Sequence, residues 1–227
     1  MERLVIIPTY NEKENIEAII NAVMQLPIEF HVLVIDDGSP DGTALIVKRL
    51  MAEVYDGRLF IVERAGKQGL GTAYIAGFRW AIEHGYDYIF EMDADFSHDP
   101  KDLLKLYHAC SEEGADVAIG SRYVSGVNVV NWPMGRVLMS YFASKYVRFV
   151  LGVDIHDTTA GFICYRREVL ETIELDKIRF KGYAFQIEMK FTAYKCGFTI
   201  KEVPIIFINR VLGRSEERRV GKECRSR

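Results

Sequence analysis

Val32-Leu33-Val34-Ile35-Asp36-Asp37-Gly38-Ser39-Pro40-Asp41-Gly42 is the stretch that decides the fold. Its first four residues are an unbroken apolar run, the pattern of a strand covered on both faces. The polar stretch that follows reads as a loop, and residues 43–54 read as a helix. The same phrase recurs on either side. Residues 4–7 form a strand, and Asn11 is placed to cap a helix with Glu12 and Glu14 in its first turn, where the helix dipole favours anions. Ile16, Ile19, Ile20, Val23 and Met24 then make one apolar face at helical spacing. Residues 59–62 are the next strand, followed by a loop with Gly66, Gly69 and Gly71 and a helix over 72–83. A strand over 86–92, a helix from Lys101 and a strand over 116–120 complete the series. Such alternation predicts an α/β fold, a mainly parallel sheet flanked by helices. Ligands of these sheets bind beyond the carboxyl ends of the strands. The loops 8–12, 36–41 and 93–97 all fall there.

Glu91-Met92-Asp93-Ala94-Asp95 closes one of those strands. Asp93 and Asp95 are two apart, so in extended backbone both carboxylates point to the same side. Two anions held together repel unless a cation sits between them. Hard oxygen ligands suit Mg²⁺ or Mn²⁺, ions that commonly carry substrate phosphates. The pattern therefore marks a metal–diphosphate site. Two solvated loop aspartates would give the same short pattern.

The chain has 227 residues, 49% apolar and 27% charged, the balance of a globular protein with a sizeable core. Its net charge of −3 offers no general attraction to nucleic acid. Cys110, Cys164, Cys196 and Cys224 are widely spaced, which suggests neither a zinc site nor a disulfide framework and points to a reducing compartment. A strand beginning at residue 3 leaves no room for a signal peptide, and no apolar run reaches the roughly 18 residues that span a bilayer.

After Arg122 the rhythm changes. Residues 123–135 read as a mobile loop, and residues 137–151 as a helix that is apolar nearly all round. That helix is either part of the core or lies against a membrane with its cations at headgroup depth. A helix over 183–194 and a strand over 201–209 follow. From Ser215 the chain is charged and aperiodic, which divides it into a domain over 1–214 and a disordered tail over 215–227, the tail reading as a non-native extension.

Ile7-Pro8-Thr9-Tyr10-Asn11-Glu12, the Asp36–Thr43 loop and Met92-Asp93-Ala94-Asp95-Phe96-Ser97-His98 together resemble the inverting family 2 glycosyltransferases. Within them, Gly120-Ser121-Arg122-Tyr123, the segment 182–189 and Ile208-Asn209-Arg210-Val211 resemble the dolichol-phosphate (polyprenol-monophosphate) mannose synthases. The resemblance covers about residues 1–215. It implies a GT-A (Rossmann-like) fold, GDP-mannose as donor, a polyprenyl phosphate as acceptor and a divalent cation. It also implies a peripheral place on the cytoplasmic side of a membrane, with a membrane-anchor subunit as a further partner.

Residue by residue, the resemblance assigns Pro8, Tyr10, Glu12, Ile35 and Asp37 to the nucleotide, and Asp93, Ala94 and Asp95 to metal and donor. Arg210 would clamp the donor phosphates, while Arg122 and Arg136 would hold the acceptor phosphate. Lys67 either faces the diphosphate or is solvated. An alkyl phosphate has its second pKa at about 6 and is largely ionised at neutral pH, so it needs orientation rather than a base. Arginine suits that task because its fork makes two bonds to phosphate. Asp157 and Glu188 are accordingly expected to position or to support, and His98 and His156 to be hydrated loop histidines. Two positions depart from the family. Ser97 stands where a glutamine can be the third metal ligand, and Glu216 stands where a phosphate-binding lysine follows Gly213-Arg214-Ser215. Another sugar nucleotide, a sugar-hydroxyl acceptor using Asp157 or Glu188 as base, or an inactive truncated binding form remain as alternatives.

Overall fold

The computed structural model describes residues 1–210. In chain order the elements are β1 (Arg3–Thr9), α1 (Ile16–Met24), β2 (His31–Asp36), α2 (Thr43–Glu53), β3 (Leu59–Glu63), α3 (Leu70–Glu83), β4 (Tyr88–Glu91), α4 (Asp102–Ser111), β5 (Val117–Ser121) and β6 (Val129–Val130). These are followed by α5 (Met134–Leu151), β7 (Ile163–Arg166), α6 (Arg167–Thr172), α7 (Tyr183–Lys195), β8 (Ile200–Pro204) and β9 (Phe207–Ile208). The main sheet has the order β3-β2-β1-β4-β7-β5-β8. Alternation along β1 sorts the core. Val5 and Ile7 face α1, α2 and α4, whereas Leu4 and Ile6 face α3, α6 and α7. Both layers are closed by helices, so the strands read as continuous apolar runs.

The sheet departs from the expected pattern at one strand. β7 runs antiparallel to both β4 and β5, wedged between them. Its insertion brings residues 157–162 to the same rim as the other loops, and Phe162 against Gly120 in the process. A Cβ on Gly120 would lie 2.6 Å from a ring carbon of Phe162, so only glycine fits there.

Several local expectations are corrected. Asn11 does not cap α1; it adopts φ 59°, and the helix begins after Asn15, with Glu17 rather than Glu12 or Glu14 in its first turn. The expected strand over 201–209 is divided between β8 and β9, the latter pairing with β6 in a separate two-stranded ribbon. The core reading of the helix over 137–151 also fails. Ser144 alone among the residues of α5 is buried, and Phe149 is 88% exposed. The charged tail, Glu216 and the Gly213-Arg214-Ser215 segment lie outside the described residues.

Candidate active site

The loops after β1, β2, β4 and β5 open onto one cavity of about 850 Å³. A shallower groove of about 480 Å³ between α4 and β8 carries none of the residues singled out by sequence.

The cavity is lined by Pro8, Tyr10, Glu12, Asp37 and Lys67. The Lys67 ammonium sits 5.4 Å from the Tyr10 ring centroid. Asp37 is gripped by an arginine that the sequence reading did not single out. Arg64 donates from Nε and Nη2 to its two carboxylate oxygens at 2.6 and 2.8 Å, and from Nη1 to Thr72 Oγ1 at 2.9 Å. Asp36, by contrast, points inward and stitches its own turn. It accepts from Thr9 Oγ1 at 2.9 Å and from the Ser39 amide at 2.9 Å. Ile35 is wholly buried in β2, and its side chain lies in the core rather than along the cavity.

Asp93, Ala94, Asp95 and Ser97 also line the cavity. β4 ends at Glu91, so Asp93 lies in irregular backbone and Asp95 in a turn rather than in extended strand. Both still reach the cavity. The Ser97 amide donates to Asp95 Oδ1 at 3.0 Å, and Arg210 donates from Nε to Oδ2 at 2.8 Å. Arg210 Nη1 also approaches Glu12 Oε1 at 3.4 Å. Burial raises the Glu12 carboxyl above its ordinary range, against the opposing pull of Asn15 and Arg210.

Arg122, Arg136 and His98 line the same cavity. Arg122 is held end-on by Asp157, with Nε–Oδ2 at 2.7 Å and Nη2–Oδ1 at 2.6 Å, and by Thr159 Oγ1 at 2.9 Å. Burial alone would raise the Asp157 carboxyl, but the hydrogen bonds and charge of Arg122 outweigh it and the net shift is downward. Arg136 meets Asn209 Oδ1 at 3.4 Å and packs over the Trp132 ring at 4.1 Å. His98 is not a hydrated loop residue. It is buried, stacked on Phe162 at 4.8 Å and edge-on to Phe207, and burial pushes its pKa down to about 4. The imidazole is therefore neutral at pH 7. His156 bonds Glu202 through Nδ1 at 2.8 Å, away from the aspartates. Glu188 accepts the amides of Arg179 and Phe180 at 2.9 and 3.0 Å.

Beneath the aspartates runs a buried line of polar groups. Gln186 donates to Glu91, and the Lys190 ammonium donates to the carbonyls of Thr158, Ala160 and Gln186 at 3.2, 2.6 and 3.2 Å. These bonds tie α7 to the loop that carries Asp157. Nothing in the spacing of Arg64, Trp132, Gln186 or Lys190 announces these roles, since each depends on which strands become neighbours.

A sheet of this order, with paired aspartates and arginines lining one cavity at its carboxyl rim, defines a nucleotide-sugar transferase of GT-A type. Residues 4–174 match the family model "Glycosyl transferase family 2", and the chain belongs to that family. It is 51% identical over 213 residues to the polyprenol monophosphomannose synthase of Mycolicibacterium smegmatis, covering 94% of this chain and 80% of that one. It is 46% identical over 216 residues to the undecaprenyl-phosphate mannosyltransferase of Micrococcus luteus, covering 95% and 87%. These relatives are the enzyme group that the motifs resemble. Among solved structures, glucosyl-3-phosphoglycerate synthase from Mycobacterium tuberculosis superposes with a TM-score of 0.71 at 19% identity, over 99% of this chain and 76% of that one. Its complex with Mn²⁺ and uridine-diphosphate-glucose gives 0.70 at 20%, over 99% and 75%. At such identity the likeness speaks for the fold alone.

Proposed function

We propose that the chain transfers mannose from GDP-mannose to a polyprenyl phosphate by a single in-line displacement aided by a divalent cation. The observation that carries this reading is the shared cavity, which Asp93 and Asp95 line together with Arg122, Arg136 and the residues of the donor loops. The names of the two curated relatives, which carry mannose and a polyprenyl phosphate, support the same chemistry.

Asp93, Asp95 and the Ser97 hydroxyl are hard oxygen donors, which fits Mg²⁺ or Mn²⁺. Such ions are commonly held by one or two carboxylates together with substrate phosphates. Among the described residues no group of three or more His, Cys, Asp or Glu side chains gathers to hold a metal, so donor phosphate and water would complete the shell. When bound, the cation offsets charge growing on the departing diphosphate. Arg122 and Arg136 orient the acceptor. One ionised phosphate oxygen forms the new bond to the anomeric carbon as the bond to GDP breaks, and no proton has to move. The configuration at that carbon inverts.

The carboxylates required by a sugar-hydroxyl acceptor are committed elsewhere. Asp157 gives both oxygens to Arg122 and is fully buried, while Glu188 accepts two backbone amides. A group so engaged is a poor general base.

In this reading residues 1–214 are the catalytic unit, peripherally bound to the cytoplasmic side of a membrane. None of the described helices is long and apolar enough to cross one. α5 supports surface binding: it exposes Leu138, Met139, Phe142, Tyr146, Phe149 and Val150, and carries Arg136, Lys145 and Arg148 with no acidic residue. A separate anchor subunit would add to that contact. The deciding experiment compares GDP-mannose with UDP-glucose, each offered polyprenyl phosphate or a free sugar. Product with GDP-mannose and the lipid phosphate alone is expected. Equal use of UDP-glucose, or transfer to the sugar hydroxyl, would overturn the reading.

A further inference from the structure

Arg122 and Arg136 are fourteen positions apart in sequence and approach the cavity from different segments, one after β5 and one in the first turn of α5. Each has its own polar partner, Asp157 and Thr159 for Arg122 and Asn209 for Arg136, and both also meet one ring. The object between their segments is Trp132. The Arg136 guanidinium carbon lies 4.1 Å from its ring centroid and that of Arg122 lies 5.5 Å away, within a set of rings that also places Tyr123 and Phe207 at 5.3 and 5.6 Å from Arg122. An indole face attracts both cations through its quadrupole. The ring is itself braced edge-on by Phe207 at 5.2 Å, and Phe207 is held in turn by the β6–β9 pairing and by His98. Trp132 Nε1 is buried and has no hydrogen-bond partner among the described residues. Buried indole N–H groups ordinarily find one. Arg122 already spends Nε and Nη2 on Asp157 and Thr159, and makes no hydrogen bond from Nη1 among the described residues. Two cations, an indole and a neutral donor thus meet at one wall of the cavity.

We infer that Trp132 is a positioning residue of the acceptor-phosphate site, whose indole holds the guanidinium groups of Arg122 and Arg136 together so that both engage one phosphate. This rests on the acceptor reading proposed above. The same ring is not needed to bind the nucleotide, because Asp37, Arg64 and Tyr10 lie with the loops after β1, β2 and β3. An aromatic platform for the transferred sugar is the competing use of such a residue, and it predicts a different kinetic signature.

The test measures initial rates for the full chain and its Trp132→Phe and Trp132→Leu variants, varying short-chain polyprenyl phosphate and GDP-mannose in turn. The leucine variant should raise the acceptor KM at least tenfold and leave the donor KM within twofold. The phenylalanine variant keeps a ring face and should raise the acceptor KM about threefold or less. An unchanged acceptor KM in the leucine variant, equal losses in both variants, or a rise in donor KM would each overturn the inference; the last would make the ring a sugar platform. Absence of transfer by the parent chain, with any acceptor concentration, would instead overturn the acceptor reading and the inference with it. Binding supplies a measurement that survives poor folding of the leucine variant. The chain has two tryptophans, so in Trp80→Phe the emission of Trp132 stands alone. Its emission should change on titration with short-chain polyprenyl phosphate in the absence of donor. A flat titration, in a protein that still makes mannolipid, would contradict the placement.

Discussion

Arg210 donates to Asp95 across 115 residues of sequence, from Nε to Oδ2 at 2.8 Å, and its Nη2 lies 2.7 Å from the same oxygen in an ion pair. The guanidinium therefore stands against a carboxylate assigned to a metal ion, and reaches Glu12 as well. On the proposed function, a donor diphosphate entering this site would offer Arg210 a more highly charged partner and free Asp95 for the cation. Arg210→Ala should accordingly lower kcat/KM for the donor by roughly ten- to hundredfold, the worth of a charge-assisted hydrogen bond or two. Initial rates at varied GDP-mannose check this. An unchanged donor KM would mean that Arg210 serves only to quench Asp95.

The Arg122–Asp157 pair is nearly removed from solvent, with side-chain exposures of 10% and 0%. Removing one partner leaves a buried charge, which costs about 3–5 kcal/mol in comparable pairs. Asp157→Asn should lose stability on that scale in urea unfolding at pH 7. The Asp157 carboxyl is depressed in the fold, so its contribution is present above the ordinary carboxylate pKa and is lost as pH falls through the lower folded value. The acid limb of the parent's stability profile should therefore be steeper than that of Asp157→Asn.

Glu91 carries the opposite sign. Burial pushes its pKa up from 4.5 to about 8, with Gln186 and Lys190 pulling the other way. A raised carboxyl contributes stability below its unfolded value and loses it as pH rises through the folded one. Parent stability should fall between about pH 5 and 8, with a slope of up to roughly 1.4 kcal/mol per pH unit. Glu91→Gln should flatten that interval in chemical unfolding curves. A parent profile already flat from pH 5 to 8 would show Glu91 to be ionised throughout.

α5 yields a prediction about membranes. Phe142 and Phe149 are 59% and 88% exposed, so acidic replacements should leave folding intact. Each ring buried in a lipid interface is worth about 1.5–3 kcal/mol. Phe142→Glu with Phe149→Glu should reduce co-sedimentation with anionic vesicles by at least about tenfold. Equal sedimentation by parent and variant would assign membrane contact to another surface.

Much of this molecule can be read from its sequence because parallel strands buried on both faces announce themselves. The apolar runs of β1, β2 and β4 and the polar loops after them place Tyr10, Asp37 and Asp95 on one rim from the sequence alone. β7 escapes that logic. Ile163–Arg166 is four residues long, follows a glycine and phenylalanine, and takes its direction from neighbours that lie far away in sequence. Residues whose roles depend on β7 and its loop were hidden with it: Asp157 as the partner of Arg122, and His98 as a ring stacked on Phe162. Asn11 misled for a different reason. Asparagine favours helix caps and the left-handed region alike, and here φ 59° chose the second.

The most direct test is transfer of labelled mannose from GDP-mannose to a short-chain polyprenyl phosphate with Mn²⁺ or Mg²⁺, run beside EDTA and Asp95→Ala. Metal-dependent mannolipid, abolished by chelation and by the substitution, is the result predicted for a cavity that joins donor aspartates to acceptor arginines. Mannolipid formed at the parent rate by Asp95→Ala, or no mannolipid from the parent with either ion, would contradict it.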